Sequence, residues 1–166
     1  SRSIAIGHGA LLTQNFTTAT DSYNIAIGHN AGLSVTTGTA NTLVGGQAGD
    51  ALTTGYDNVA IGYNALSSDD VGARSVAVGR ESLLSQNFST ATQSYNVAVG
   101  YRAGYSVTTG QANTFIGGSA GDAITDADYN IAIGVNALNS DTLGSRSIAI
   151  GYEALNAQNF TTATAS

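Results

Sequence analysis

Residues 58–62 read Asn-Val-Ala-Ile-Gly, and nine stretches of this type recur along the 166-residue chain. Each opens with Asn or Ser, carries Ile, Val or Thr second and Ile or Val fourth, and closes with Gly. Successive stretches start 17 or 21 residues apart, in an order that makes a super-repeat of 72 residues. A short fixed period is typical of solenoids, whose coils are too small to fold alone and therefore stack. The opening residues are Ser3, Asn24, Asn41, Asn58, Ser75, Asn96, Asn113, Asn130 and Ser147, and the closing residues are Gly7, Gly28, Gly45, Gly62, Gly79, Gly100, Gly117, Gly134 and Gly151.

The three residues before each closing Gly are typical of a β-strand. Side chains two residues apart on a strand share a face, so the second and fourth point one way and the third, usually Ala, points the other way. Both faces are therefore apolar, and such a strand must be covered on both. We interpret one cover as the interior of the coil and the other, on the Ala side, as a neighbouring copy of the chain. The pattern predicts a homo-oligomer, most simply a trimer.

The more polar residues after each Gly predict a second, outer strand, which completes a coil. We expect each closing Gly to turn the chain with a positive φ, and the opening Asn and Ser residues to form a hydrogen-bonded ladder. The predicted fold class is all-β, a parallel β-roll (β-solenoid) of stacked 17- and 21-residue coils. Coils stacked about 4.8 Å apart give a rod on the order of 40 Å long.

The repeats extend through the whole chain, so we interpret residues 1–166 as a single repeat array. Residues 3–74 and 75–146 are two super-repeats that share 44 of 72 residues, and residues 147–166 begin a third. We expect the chain to be a fragment of a longer fibre.

The composition fits strands and tight turns and argues against several classes of protein. The chain has 21 Gly, no Pro and no Cys, and its formal net charge is −6. Nucleic-acid-binding proteins need a basic face, so the acidic balance argues against that class. No apolar run reaches the roughly 20 residues that span a bilayer, so we expect no membrane insertion. The absence of Cys excludes disulfides and thiolate metal sites.

The sequence predicts no enzyme. His8 and His29 are the only His residues, and one super-repeat later Arg80 and Tyr101 stand in their places. A catalytic or metal role would have to exist in one copy and be lost in the other. Glycoside cleavage needs paired carboxylates in a groove, whereas the two Glu residues of the chain occupy equivalent turn positions 72 residues apart. We therefore predict no catalytic residue and no cofactor.

The acidic residues are interpreted as belonging to surface turns. Asp50 and Asp122 end Gly-rich turns that superficially resemble calcium-binding β-roll turns, but the run of nonapeptides that such sites require is absent. We interpret both as surface residues, with calcium binding as the alternative. Asp69 and Asp141 are expected to be solvated turn residues.

The 21-residue coils carry a Thr-rich insertion and an Asn-Phe-Ser/Thr sequon, at Asn15, Asn87 and Asn159. In one interpretation the Phe anchors a protruding loop to the roll, and in the other the loop carries a glycan on Asn or forms a contact surface. Arg residues also recur once in each super-repeat, directly before the opening Ser. We predict that Arg2, Arg74 and Arg146 form salt bridges between chains or hydrogen bonds to carbonyl groups.

The NIAIG, NVAIG and SVAVG stretches, which open at Asn24, Asn58 and Ser75, resemble the head repeats of YadA-like trimeric autotransporter adhesins. The resemblance implies a left-handed parallel β-roll that trimerises and serves attachment. Units of that family are nearer fourteen residues, and the longer units of this chain look more like repeat arrays of phage tail fibres.

We therefore predict a structural and adhesive segment of an extracellular trimeric fibre, on a cell surface or virion, with a host-cell surface, glycan or matrix ligand. The alternative is an ice-binding β-solenoid, because regular Thr ladders can order water. Paired threonines such as Thr36-Thr37 and Thr53-Thr54 suggest that alternative, although they do not form a continuous column.

Overall fold

The computed structural model describes residues 2–162 and the backbone of residues 164 and 165. In this part of the chain one parallel sheet contains nine strands of three residues, each on the predicted Ile-Ala-Ile-type stretch. The strands are in register, so that Ala26, for example, lies between Ala5 and Leu43. They are β1 (Ile4–Ile6), β2 (Ile25–Ile27), β3 (Thr42–Val44), β4 (Val59–Ile61), β6 (Val76–Val78), β8 (Val97–Val99), β9 (Thr114–Ile116), β10 (Ile131–Ile133) and β12 (Ile148–Ile150).

Each coil contributes one strand to this sheet, and that strand pairs with the strand of the coil that follows in sequence. The amide of Ile25 donates to the carbonyl oxygen of Asn41 at 2.8 Å, and the amide of Gly45 donates to that of Ile27 at 2.8 Å. Every neighbour in the sheet is thus the next coil of the array. The parallel β-solenoid predicted from the repeat is confirmed for the described residues.

The second side of the coil is a stack of turns, so the predicted outer strand is wrong for most coils. Hydrogen bonds from coil to coil continue through it, as from the amide of Thr36 to the carbonyl oxygen of Thr53 at 2.9 Å. Residues such as Asn64 and Leu66 adopt φ near +55°, which bends the chain too sharply for an extended segment. Among the residues that the structure describes, short strand pairs form only beside the 21-residue coils. There β5 (Gly72–Ala73) pairs with β7 (Thr92–Gln93), and β11 (Gly144–Ser145) pairs with β13 (Thr164–Ala165).

The inward and outward faces of the main sheet are exchanged relative to our interpretation. The Ala side chains, which we placed against a neighbouring chain, point into the coil, and Ala26, Ala60 and Ala98 are completely buried in the core. The Ile and Val side chains of the same strands point outward. The physical reason is that large side chains from the turns, such as Leu66 and Leu83, occupy the interior and leave room for little more than a methyl group on the strand side.

Two strands carry a large residue at their central position, and in both cases glycine stands beside it. Leu43 and Phe115 replace the central Ala in two coils, and both are completely buried. A Cβ atom on Gly49 would lie 2.8 Å from Leu43 Cδ2, and one on Gly104 would lie 2.8 Å from Phe115 Cδ2. In these two coils the missing side chain of glycine therefore makes room for the larger residue of the strand. None of the described residues belongs to a helix that could cross a membrane.

Candidate interaction surface

The outward side of the nine-stranded sheet is an apolar surface that extends through every coil of the described residues. We call it the strand face and define it as the second and fourth residues of each stretch. Not one of these side chains is buried, and Ile61 and Ile116 in the middle of the array are 38% and 40% exposed. Sixteen of the eighteen are Ile or Val. The strand face comprises Ile4, Ile6, Ile25, Ile27, Thr42, Val44, Val59, Ile61, Val76, Val78, Val97, Val99, Thr114, Ile116, Ile131, Ile133, Ile148 and Ile150.

Aromatic and Arg side chains line both edges of the strand face. The opening edge, which is the residue before each opening Asn or Ser, includes Tyr23 and Tyr95, and the closing edge, which is the residue after each closing Gly, includes Tyr63 and Tyr101. These four side chains are about half exposed, at 49 to 53%. Tyr and Arg are enriched in protein–protein interfaces relative to other surfaces. The strand face therefore has an apolar centre and a rim of the composition that interfaces favour.

The Arg residues of the opening edge have partners within their own chain. Arg74 Nη1 donates to the hydroxyl of Tyr95 at 2.8 Å and to Gln93 Oε1 at 2.6 Å, and its guanidinium lies 5.7 Å from the ring centres of Tyr56 and Tyr95. Arg2 contacts Tyr23 and Arg146 contacts Tyr129 in the same way. The interchain role that we assigned to Arg2, Arg74 and Arg146 stays a prediction.

The opening Asn side chains are buried and are joined from coil to coil. Asn41 donates its backbone amide to Asn24 Oδ1 at 2.9 Å and its Nδ2 to the carbonyl oxygen of Gly55 at 2.8 Å, while its own Oδ1 accepts from the amide of Asn58. Each carboxamide thus satisfies backbone groups that burial would otherwise leave without partners. The column continues into the next coil, where Asn58 Oδ1 accepts from the amide of Ser75.

Where a coil opens with Ser, a Gln eleven residues later supplies the missing carboxamide. Gln86 is completely buried, donates to Ser75 Oγ at 2.8 Å and accepts from Asn96 Nδ2 at 2.9 Å. Sequence reasoning missed this residue. The signal was present, because a Gln follows every opening Ser at the same spacing, in the pairs Ser3 and Gln14, Ser75 and Gln86, and Ser147 and Gln158.

The same network contains a buried carboxylate, which corrects the expectation that Asp69 and Asp141 are solvated. Both are completely buried, and Gln86 Nε2 donates to Asp69 Oδ2 at 2.6 Å. The amide of Gly72 donates to Asp69 Oδ1 at 3.0 Å. Burial raises the pKa of Asp69, because desolvation disfavours its charged form more than these hydrogen bonds favour it. The hydrogen bonds hold the turn that precedes each 21-residue coil.

The remaining candidate residues are His8, His29, Asp50 and Asp122. His8 and His29 are exposed and stack on each other with ring centres 5.5 Å apart. Asp122 pairs with Arg102 at 3.2 Å, whereas Asn30 stands in the place of Arg102 one super-repeat earlier, in the coil before that of Asp50. Burial raises the pKa of both carboxyl groups. Within the described residues no three His, Cys, Asp or Glu side chains come together as metal ligands would.

The sequon loops protrude from the 21-residue coils. Asn87 and Ser89 are exposed, while Phe88 between them is only 4% exposed and anchors the loop. Asn15 and Asn159 are exposed as well. The Phe can therefore anchor the loop while the Asn beside it remains accessible to a glycan.

Some of the threonines that suggest ice binding form hydrogen bonds between coils of the array. The hydroxyls of Thr36 and Thr125 donate to carbonyl oxygens of the following coil, at 3.2 and 3.1 Å. Thr37 and Thr54 are exposed. Ice binding stays a prediction, which a thermal-hysteresis measurement tests.

Stacked single-strand coils with a parallel sheet along one side define a β-solenoid repeat protein. Residues 54–82, which span the stretches opened by Asn58 and Ser75, match the family model of the YadA head domain repeat in two copies. The chain therefore contains repeats of the YadA head type, and the resemblance seen in the sequence is confirmed. Neither the curated proteins nor the solved structures include a match to this chain.

Proposed function

We propose that this chain is a rigid segment of an extracellular homotrimeric fibre that serves attachment to a surface. The observation that carries the proposal is the uncovered strand face. A monomeric soluble protein rarely exposes a continuous apolar patch of this kind, and such patches mark sites of association.

The partner that fits the strand face best is another copy of the chain. The face repeats its Ile and Val rows once per coil, about every 4.8 Å along the array. A covering surface must present apolar rows at the same spacing over nine coils, and the strand face itself has that spacing. Closed rotational symmetry lets each copy cover part of its neighbours without leaving a free face.

The proposed number of chains is three, and the family match supports it. YadA-like adhesins are trimeric and exposed on the cell surface, so the match at residues 54–82 supports three chains and an extracellular location. Adhesins of this type bind and do not catalyse, which supports a non-enzymatic role. The left-handed winding implied by the resemblance is part of the same proposal.

The assembly is tested by measuring mass in solution. Light scattering of the purified chain is expected to give three times 16.7 kDa. Val78→Lys places a charge in the centre of the strand face, where its desolvation opposes association, and is expected to yield monomers. Thr54→Lys adds the same charge on an exposed turn and is the matched control, which remains trimeric. A monomeric parent chain at all concentrations, or a trimeric Val78→Lys variant, contradicts the proposal.

Attachment is tested on cells with the Thr54→Lys variant. Beads coated with the Thr54→Lys trimer are expected to be retained on a cultured epithelial monolayer more strongly than albumin-coated beads. Equal retention on that monolayer contradicts attachment to this surface by the array itself.

The sequon loops are proposed as secondary sites of the same fibre, either glycan-bearing or in contact with the ligand. Asn15, Asn87 and Asn159 stand one super-repeat apart, which is about 19 Å along a rod of this spacing. Intact mass of the chain purified from its natural source decides between them, because a glycan adds mass and a contact surface does not.

A further inference from the structure

We propose that Thr42 and Thr114 fix the axial register of the assembled chains, each by hydrogen bonding to the same residue of its sister chains. This inference rests on the proposed trimer. It concerns how three nearly uniform surfaces find a single alignment, and it assigns a role to the only two polar side chains of the strand face.

Hydrophobic burial alone specifies the register of such an assembly poorly. A sister chain that slides by one coil, about 4.8 Å, again places Ile and Val against Ile and Val along most of the strand face. Only the contacts of one terminal coil are lost. Nearly degenerate alignments of this kind require an element that disfavours the wrong ones.

The two Thr hydroxyls can be that element because the described part of their own chain offers them no hydrogen-bond partner. Neither hydroxyl makes a hydrogen bond within the described residues, whereas Thr36, Thr53 and Thr125 on the turns all donate to the following coil. Thr42 and Thr114 are half-buried before any association. Covering them with a sister chain removes them from water, and a buried hydroxyl without a partner is strongly unfavourable.

A closed trimer in register gives each buried hydroxyl a hydrogen-bond partner. Three equivalent hydroxyls stand at the same height, and each can donate to the next while it accepts from the previous one. After a slip of one coil the Thr42 hydroxyl faces Ile25 or Val59 of a sister chain, which offer no hydrogen bond. The role is that of a single buried Asn in a coiled coil, which fixes register at some loss of stability.

A second observation places the closest approach of the chains at the same two coils. Both edges of the strand face are narrow there, with Ala40 and Gly46 in one coil and Ala112 and Gly118 in the other. Every other coil carries at least one Arg, Tyr, His or Asp on these edges. A Cβ atom on Gly118 would meet no atom of the described residues within 4 Å, and Gly118 has no positive φ that demands glycine. The space beside it is free for a sister chain.

The test counts amide signals of the isotope-labelled trimer by NMR. Only the in-register arrangement keeps the three chains equivalent, so the parent trimer is expected to show one signal for each of its 21 Gly residues. The double variant Thr42→Val and Thr114→Val removes the hydroxyls with little change of shape. It is expected to remain trimeric and to show additional Gly signals from slipped species, increased at least about ten-fold over the parent.

Two control variants make the result specific. Thr42→Ser with Thr114→Ser keeps the hydroxyls and is expected to retain the single set of signals. Thr37→Val with Thr109→Val makes the same chemical change on exposed turns and is also expected to retain the single set of signals. A single set in the Thr42→Val and Thr114→Val trimer overturns the register role and leaves the trimer standing. A monomeric parent chain in light scattering overturns the trimer, and the register role with it.

Discussion

Gly62→Ala is expected to lower the stability of the array by on the order of 4 kcal/mol or to prevent folding. Gly62 has a φ of +136°, which residues with a Cβ atom adopt only with strain. Its backbone also packs directly on the following coil, and a Cβ atom there would lie 2.5 Å from the carbonyl oxygen of Gly79. The new methyl group must therefore separate two coils and break the sheet between them. Urea denaturation followed by circular dichroism measures the effect.

Gly151→Ala is the matched control because it separates the two causes. Gly151 has nearly the same φ, +127°, but a Cβ atom on it meets nothing within 4 Å. Only the conformational strain remains, so the loss is expected to be about 1 to 3 kcal/mol. Equal losses in Gly62→Ala and Gly151→Ala contradict the idea that these glycines permit close stacking of coils.

Phe115→Ala is expected to destabilise the array by about 3 to 5 kcal/mol. The Phe115 ring is completely buried, and Gly104 and Gly121 stand beside it where a side chain would collide with the ring. Because the glycine backbone cannot follow a smaller side chain inward, the cavity remains open. The same urea titration measures the loss.

Phe115→Leu is the control that the chain itself provides. Leu43 occupies the equivalent position one super-repeat earlier and is equally buried between two glycines. The expected loss is below about 1.5 kcal/mol, as for other volume-conserving core changes. A Phe115→Leu variant as unstable as Phe115→Ala would show that the ring shape, and not filled volume, is required.

The hydrogen-bonded ladder of opening Asn and Ser residues shows which contacts the repeat spacing predicts and which it does not. An Asn that recurs at one place in each coil suggests stacking, and the structure joins Asn24, Asn41 and Asn58 through their side chains. The contribution of Gln86 is harder to predict, because it comes from a different part of its coil and reaches the column only when the coil closes. Asp69 was misjudged for the same reason, since Gln86 covers a carboxylate that lies in an apparently polar turn.

The sequence by itself determined the β-solenoid, the nine strands of its main sheet within the described residues and their register. A motif that recurs every 17 or 21 residues allows each strand to meet its own copy in the next coil. Only the tertiary structure decided which face of the strand is the core. Alternation shows that Val59 and Ile61 share a side opposite Ala60, but both sides are apolar, and hydrophobicity does not distinguish between them. The narrow space between strand and turns makes the choice, because it admits Ala60 and turns the two larger side chains outward.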